Sequence, residues 1–202
     1  MERINLLYAT TNKSKLHNMR YRLRNYPVAV LSPEDMHIHL DIDECGSTAI
    51  ENALIKAREY FKVAQIPTLA GDCGLYLEGI SPRTQPGIYV RRVNGKTLTD
   101  EEMIAYYSEI ARTAKSPCNL HYFTGLALIT NRKTVTEEVF NTPLILSAEP
   151  NTEMTHSGNP LDVITKTLDG RFYNTLSDVE RASYDEVAER AFTEFVVNNL
   201  FY

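Results

Sequence analysis

The chain has no tryptophan, only three cysteines, and no apolar run approaching the length of a membrane span. Cys45, Cys73 and Cys118 form an odd, scattered set without a Cys-x-x-Cys pair, which excludes a disulfide framework and a zinc site and leaves them as free thiols. No excess of basic residues exists either: 21 Lys and Arg face 26 Asp and Glu, a formal net charge of −5. That balance excludes a dedicated nucleic-acid surface but permits a local basic pocket for one phosphorylated small molecule. The N-terminal Met1-Glu2-Arg3-Ile4-Asn5 lacks the pattern of a secretion signal, so a cytoplasmic protein with no membrane partner is expected. Repeats, low-complexity tracts and linkers are missing as well. With 202 residues, 43% hydrophobic and 23% charged, one globular domain over residues 1–202 is expected.

What is present begins with Ile4 to Ala9, which reads as a buried strand. The polar Thr10-Thr11-Asn12-Lys13-Ser14-Lys15 follows and opens a helix from about Ser14 to Asn25. A strand, a polar loop and a helix start gather unpaired backbone N–H groups and a partial positive charge, which suits phosphate. Lys15 adds a full charge. Val28 to Leu31 reads as a second strand, and the acidic Asp41, Asp43 and Glu44 precede a helix from about Thr48 to Ala64. Thr48 and Glu51 are spaced as a capping box, Ala49, Ile50, Ala53, Leu54, Ala57 and Phe61 form the apolar stripe, and Lys56 and Arg58 lie off its centre. Lys56 is therefore either a solvated lysine or a cation leaning over a site.

The central stretch is Thr68 to Arg92. The run Thr68-Leu69-Ala70 ends at Gly71 and presents Asp72 where the strand is expected to break, before Leu75-Tyr76-Leu77 resumes. Gly71 and Gly74 allow the backbone to bend and approach a ligand closely. Further on, a helix is expected from Thr99 to Ala114 with Met103, Ile104, Tyr107 and Ile110 inward. Strands are expected at 119–130, 133–140 and 144–148, and Thr155 to Asp162 reads as a loop. A last helix is expected from Ser183 to Asn199, with Val187, Ala188, Ala191, Phe192, Phe195 and Val196 apolar. His37-x-His39 would place two rings on one face of a strand, too few to complete a transition-metal site.

Three segments together resemble the inosine/xanthosine triphosphate pyrophosphatase family. They are Ala9 to Lys15, Asp43-Glu44 with Ile50 to Ala57, and Gly71-Asp72-Cys73-Gly74-Leu75 with Pro86 to Arg92. The resemblance implies an α/β fold, an elongated curved mixed β-sheet flanked by helices in two lobes with a central cleft, and a homodimer. It implies that Thr10, Asn12 and Lys15 hold the triphosphate, that Lys56 reaches it, and that Glu44 and Asp72 carry Mg2+. Asp72 would orient or deprotonate the attacking water. The implied reaction releases a nucleoside monophosphate and pyrophosphate from a nucleoside triphosphate, non-standard purines such as ITP, XTP and their deoxy forms being the expected substrates. The alternative is a nucleotide-binding protein of the same fold with altered base specificity or without catalysis.

The chain departs from the family in two places. Two consecutive acids are usual where this sequence reads Gly71-Asp72, and Asp41 or Asp43 is then a candidate to supply the second charge. The Phe-Gly-Tyr/Trp-Asp-Pro and Ser-His-Arg segments that grip the base are replaced by Ser157-Gly158-Asn159-Pro160-Leu161-Asp162 and Ser183-Tyr184-Asp185. Arg181 and Tyr184 become the candidates for that role.

Overall fold

A computed structural model describes residues 3–114, 117–151 and 159–202. In chain order it contains β1 (Ile4–Tyr8), α1 (Lys13–Arg22), β2 (Val28–Leu31), α2 (Ala49–Ala64), β3 (Thr68–Leu77), β4 (Arg92–Val93), β5 (Lys96–Thr97) and α3 (Asp100–Thr113). After these come β6 (Cys118–Ile129), β7 (Thr134–Phe140), β8 (Leu144–Leu146), β9 (Thr165–Lys166), α4 (Asp178–Tyr184) and α5 (Glu186–Phe201). The main sheet has the order β2-β1-β3-β6-β8-β9, with β7 paired to β6. It is mixed: β1 runs parallel to β2 and β3, whereas β8 is antiparallel to β6 and β9. Among the described residues, no helix is long and apolar enough to cross a membrane.

The chain divides into two compact units, Met1–Cys73 with Thr124–Val139 and Glu189–Tyr202, and Gly74–Phe123 with Phe140–Ala188. In the first, Leu7, Ala9, Ala70, Ala127 and Ile129 from the strands pack against Ala53, Ala57 and Tyr60 of α2. Small alanines on the helix let its backbone lie close to the sheet, and Gly125 extends this: a Cβ there would stand 2.4 Å from the Ile50 nitrogen. The start of α5 is fastened to α1 where Arg22 donates to both carboxylate oxygens of Glu189, at 2.7 and 2.5 Å, and lies over the Phe192 ring. In the second unit, Leu75, Leu77, Met103, Tyr107, Leu120, Leu144, Leu146 and Leu161 form the core.

Several sequence expectations are corrected. β3 does not break at Gly71 but runs unbroken to Leu77, and neither Gly71 nor Gly74 has a positive φ. The glycines serve space rather than bending. A Cβ at Gly74 would lie 2.0 Å from the Phe123 ring, so the ring rests directly on the strand backbone. Gly74→Ala is therefore expected to destabilise the protein by about 1–3 kcal/mol through overpacking, and Phe123→Leu to restore part of the loss. Urea unfolding checks this, and unchanged stability in Gly74→Ala would contradict the packing.

The N-terminus of α2 keeps half of its capping box: Thr48 accepts from the Glu51 nitrogen, while the Glu51 carboxylate turns instead to the nitrogen and hydroxyl of Ser47. The buried side of α2 is rotated slightly from the expected stripe, taking in Asn52 and Tyr60 and leaving Ile50 and Phe61 only partly covered. His37 lies in a turn with φ 54° and not on a strand. The final helix is two helices, because Asp185 ends α4 and turns its carboxylate to the Thr142 nitrogen at 2.7 Å and to the Asn141 amide. Val187, just after that break, is exposed rather than apolar core. Residues 155–158 of the expected loop, with Ser157 and Gly158, lie outside the described residues.

Candidate active site

The first unit assembles its polar groups at the C-terminal end of β1, where the chain must leave the sheet. The Ala9 nitrogen donates to Leu69 O at 2.8 Å, which carries the β1–β3 pairing to the edge of the loop. Thr10 Oγ1 then accepts from the Asn12 nitrogen at 3.2 Å, and Asn12 Oδ1 accepts from the Ser14 and Lys15 nitrogens at 2.9 and 3.1 Å. Asn12 is thus the N-cap of α1, satisfying two of the helix's open donors and fixing the loop. Thr10 and Asn12 shape the positive end of α1, and Lys15 extends from its first turn.

Lys15 is partly buried, and that burial disfavours its charge. The neighbouring Cys73 sulfur, the Tyr8 phenol and the Asp72 carboxylate outweigh it and hold the ammonium above the usual lysine range. It is therefore a permanent cation near Asp72. Cys73 also shares a hydrogen bond with Thr124 Oγ1 at 3.3 Å.

Asp72 is held from the other side by α2. Asn52 Nδ2 donates to Asp72 Oδ2 at 3.0 Å, while Asn52 Oδ1 accepts from the Gly46 nitrogen at 2.8 Å. One turn further along α2, Lys56 pairs with Glu44 at 3.0 Å. Residues 52 and 56 are one helical turn apart on one face, so the two carboxylates, Asp72 and Glu44, are tied to neighbouring points of the same helix. Asp41 and Asp43 are exposed, and Glu44 is the member of the acidic run that faces α2. The structure thus sets Asp72 between Asn52 and Lys15, and pairs Glu44 with Lys56 one turn further along α2.

Asn52 was not singled out from the sequence, although it carries the central link. The signal was available in the pattern: polar Asn52 and Lys56 are spaced by four on the side of an otherwise Ala-rich helix, and Asn52 is 2% exposed.

The second unit has its own buried polar cluster. Asp162 faces Arg181 at 3.3 Å, Arg181 lies 4.7 Å from the Tyr173 ring centroid, and Asn159 donates to the Tyr122 hydroxyl at 3.2 Å. Arg181 Nη2 is buried and, among the described residues, has no hydrogen-bond partner. Tyr184 is committed to the backbone: its hydroxyl donates to Pro143 O at 2.6 Å and accepts from the Leu168 nitrogen at 3.1 Å. Of the two candidates, Arg181 retains donor capacity and Tyr184 serves structure.

Burial raises the Asp162 carboxyl to about 6, only partly offset by Arg181. A raised acid favours folding where it is protonated, so its ionisation costs stability as pH rises from about 4 through 6. Acidification from pH 7 to 4 should shift the stability difference between wild type and Asp162→Asn by roughly 2–3 kcal/mol in favour of the wild type. Denaturant unfolding across that range measures it, and a pH-independent difference would contradict the burial.

Comparison with known proteins places this geometry in context. Residues 6–149 match the model of the Ham1 family. A dITP/XTP pyrophosphatase of Aquifex aeolicus is 45% identical over 87 residues, 43% of this chain and 41% of that protein. One from Coxiella burnetii is 35% identical over 111 residues, 55% of this chain and 54% of that protein. The chain spans about half the length of the curated relatives it matches. In structure it superposes on a HAM1 protein from Coxiella burnetii with TM-score 0.76 and 25% identity, over 96% of this chain and 99% of the other. The Staphylococcus aureus Ham1 protein, at 18% identity, superposes with TM-score 0.74 over the same shares and supports the fold. A matched segment that contains the β1–α1 loop, Glu44, α2 and Asp72, together with a fold shared over almost the whole chain, shows that the chain belongs to the Ham1 family.

Proposed function

We propose that this protein hydrolyses nucleoside triphosphates between the α and β phosphates, releasing a nucleoside monophosphate and pyrophosphate. The observation that carries this reading is Asp72 held by Asn52 beside Lys15 in the first turn of α1, with the Glu44–Lys56 pair one turn further along α2. Cations and open helix N–H groups attract the triphosphate, and carboxylates supply the base and metal ligands. Non-standard purine nucleotides, ITP, XTP and their deoxy forms, are the expected substrates, in keeping with the names of the relatives. By the same likeness we expect a homodimer in the cytoplasm.

The donor set fits magnesium. Glu44 and Asp72 are hard oxygen donors, and such a cation takes one or two carboxylates, several waters and substrate phosphate oxygens. When bound, it would neutralise charge developing on the phosphate oxygens. Lys15 does the same from the α1 side and cannot lose its proton near neutral pH. The Asn52 amide anchors Asp72 Oδ2 and restricts rotation of the carboxylate, which leaves Oδ1 to accept a proton from the attacking water. Lys56 keeps Glu44 turned toward α2.

The test is a panel of inosine, xanthosine, guanosine, adenosine, uridine and thymidine triphosphates, ribo and deoxy, assayed for phosphate with and without added inorganic pyrophosphatase. Phosphate that appears only with the helper enzyme, greatest for the inosine and xanthosine forms, is the expected result. Nucleotide binding without turnover on any member would replace this reading with that of a non-catalytic binder, for which Gly71 beside Asp72 is the motivating feature.

A further inference from the structure

Asn52 is 2% exposed, and both ends of its side-chain amide are committed to groups outside α2. Nδ2 donates to Asp72 Oδ2 on β3, and Oδ1 accepts from the Gly46 nitrogen in the stretch that leads into the helix. That stretch lies along α2: Glu44 pairs with Lys56, Gly46 with Asn52, and the nitrogen and hydroxyl of Ser47 with Glu51. The fit at Gly46 is close. A Cβ there would stand 2.7 Å from both Asn52 Oδ1 and the Glu51 Cβ, and 2.9 Å from the Asn52 nitrogen, so a side chain would push the stretch away from the helix. Gly46 has no positive φ, so glycine serves room there and not backbone freedom. An asparagine that only bonded its own helix would leave both Gly46 and Asp72 without these partners.

We propose that Asn52 is a two-ended positioning residue: its amide couples residues 44–46 to Asp72, so that the two carboxylates are ordered together, and Gly46 is its necessary companion. This deepens the proposed function, rests on its placing of catalysis and metal at Asp72 and Glu44, and adds what sets their spacing. The amide is planar, with its acceptor and its donors on opposite sides of one carbon. It must therefore hold one rotamer to keep both bonds, and a rotation that frees one end misaims the other. With the amide fixed, Asp72 and the backbone two residues beyond Glu44 are both referred to one rigid element, α2. Such outer partners decide how well a metal or a reacting water is met, although they touch neither.

The experiment reads hydrogen exchange at the Gly46 amide in protein free of metal and nucleotide, a signal that does not depend on turnover. Asn52→Ala should speed that exchange roughly tenfold, the size of one lost hydrogen bond. Asp72→Ala removes the partner at the other end and should speed the same amide by about threefold, the low end of one hydrogen bond. Asp72→Asn keeps an oxygen for Asn52 Nδ2 and should leave the exchange unchanged. In turnover, Asn52→Ala should lower kcat and raise the magnesium concentration for half-maximal activity, each by about tenfold, with KM for the triphosphate nearly unchanged. Gly46→Ala should act alike and add little when combined with Asn52→Ala. Wild-type exchange at Gly46 in folded Asn52→Ala or Asp72→Ala, or full additivity of the Gly46 and Asn52 substitutions, overturns the proposal. The expected exchange pattern in a protein that hydrolyses no triphosphate would keep the coupling and remove the hydrolase reading. Normal wild-type turnover with Gly46 exchange indifferent to both variants would do the reverse.

Discussion

Asp72→Asn is expected to lower turnover at least ~100-fold while the fold and triphosphate binding persist. The substitution keeps the shape of the side chain, so β3 and its packing should be undisturbed. Asn52 can still donate to the remaining amide oxygen at position 72, which makes this a change of charge and basicity rather than of architecture. On the proposed mechanism, what disappears is the acceptor for the water proton and one negative charge near Lys15. Since the proposed reading assigns binding chiefly to the α1 N-terminus and Lys15, the loss should fall on kcat more than on KM. Single-turnover kinetics beside equilibrium binding would separate the two, and near-normal turnover would remove Asp72 from its role.

Withdrawal of divalent metal by a chelator is expected to reduce turnover by roughly 10³-fold, the several kcal/mol that a cation contributes to stabilising phosphoryl charge, and excess magnesium should restore it. The distribution of the acids makes a finer statement. Glu44 faces α2 through Lys56, whereas Asp41 and Asp43 are exposed. If Glu44 and Asp72 hold the metal as proposed, Glu44→Gln should raise the magnesium concentration for half-maximal activity by about tenfold, leaving one carboxylate donor. Asp43→Ala should leave the magnesium curve in place. A shift in the Asp43 variant equal to that in the Glu44 variant would reassign the second ligand to the exposed end of the acidic run.

Much of this arrangement was readable from local chemistry. Asn12 could be recognised as a cap at a strand-to-helix junction, and Thr48 as another, because capping is set by residues within one turn. Strands β1, β2 and β6 announced themselves as apolar runs bounded by polar loops. The failures are those of tertiary contact. Gly71 and Gly74 looked like breakers because glycine is ambiguous in sequence: the same residue serves a bend or a close approach, and only Phe123 against Gly74 and Tyr8 against Gly71 reveal which.

The division between α4 and α5 was hidden for a related reason. Asp185 lies inside a helical pattern, and it ends α4 because a distant loop at Asn141 and Thr142 presents donors to its carboxylate. Asn52 also escaped, since its worth depends on Asp72 twenty residues away and on the Gly46 backbone. Charge-bearing residues were found because their chemistry is conspicuous in any sequence. The neutral group that aims Asp72, Asn52, became visible only as a contact.

The site chemistry as a whole turns on which phosphoric anhydride bond is broken. Phosphorus NMR of the products formed from ITP or dITP with magnesium tests this most directly, without coupling enzymes. The account predicts equal amounts of nucleoside monophosphate and pyrophosphate, with no orthophosphate at early times and no signal above background in Asp72→Asn. Nucleoside diphosphate and orthophosphate would contradict it, because attack at the γ phosphate would mean that Lys15 and Asp72 address a different part of the substrate.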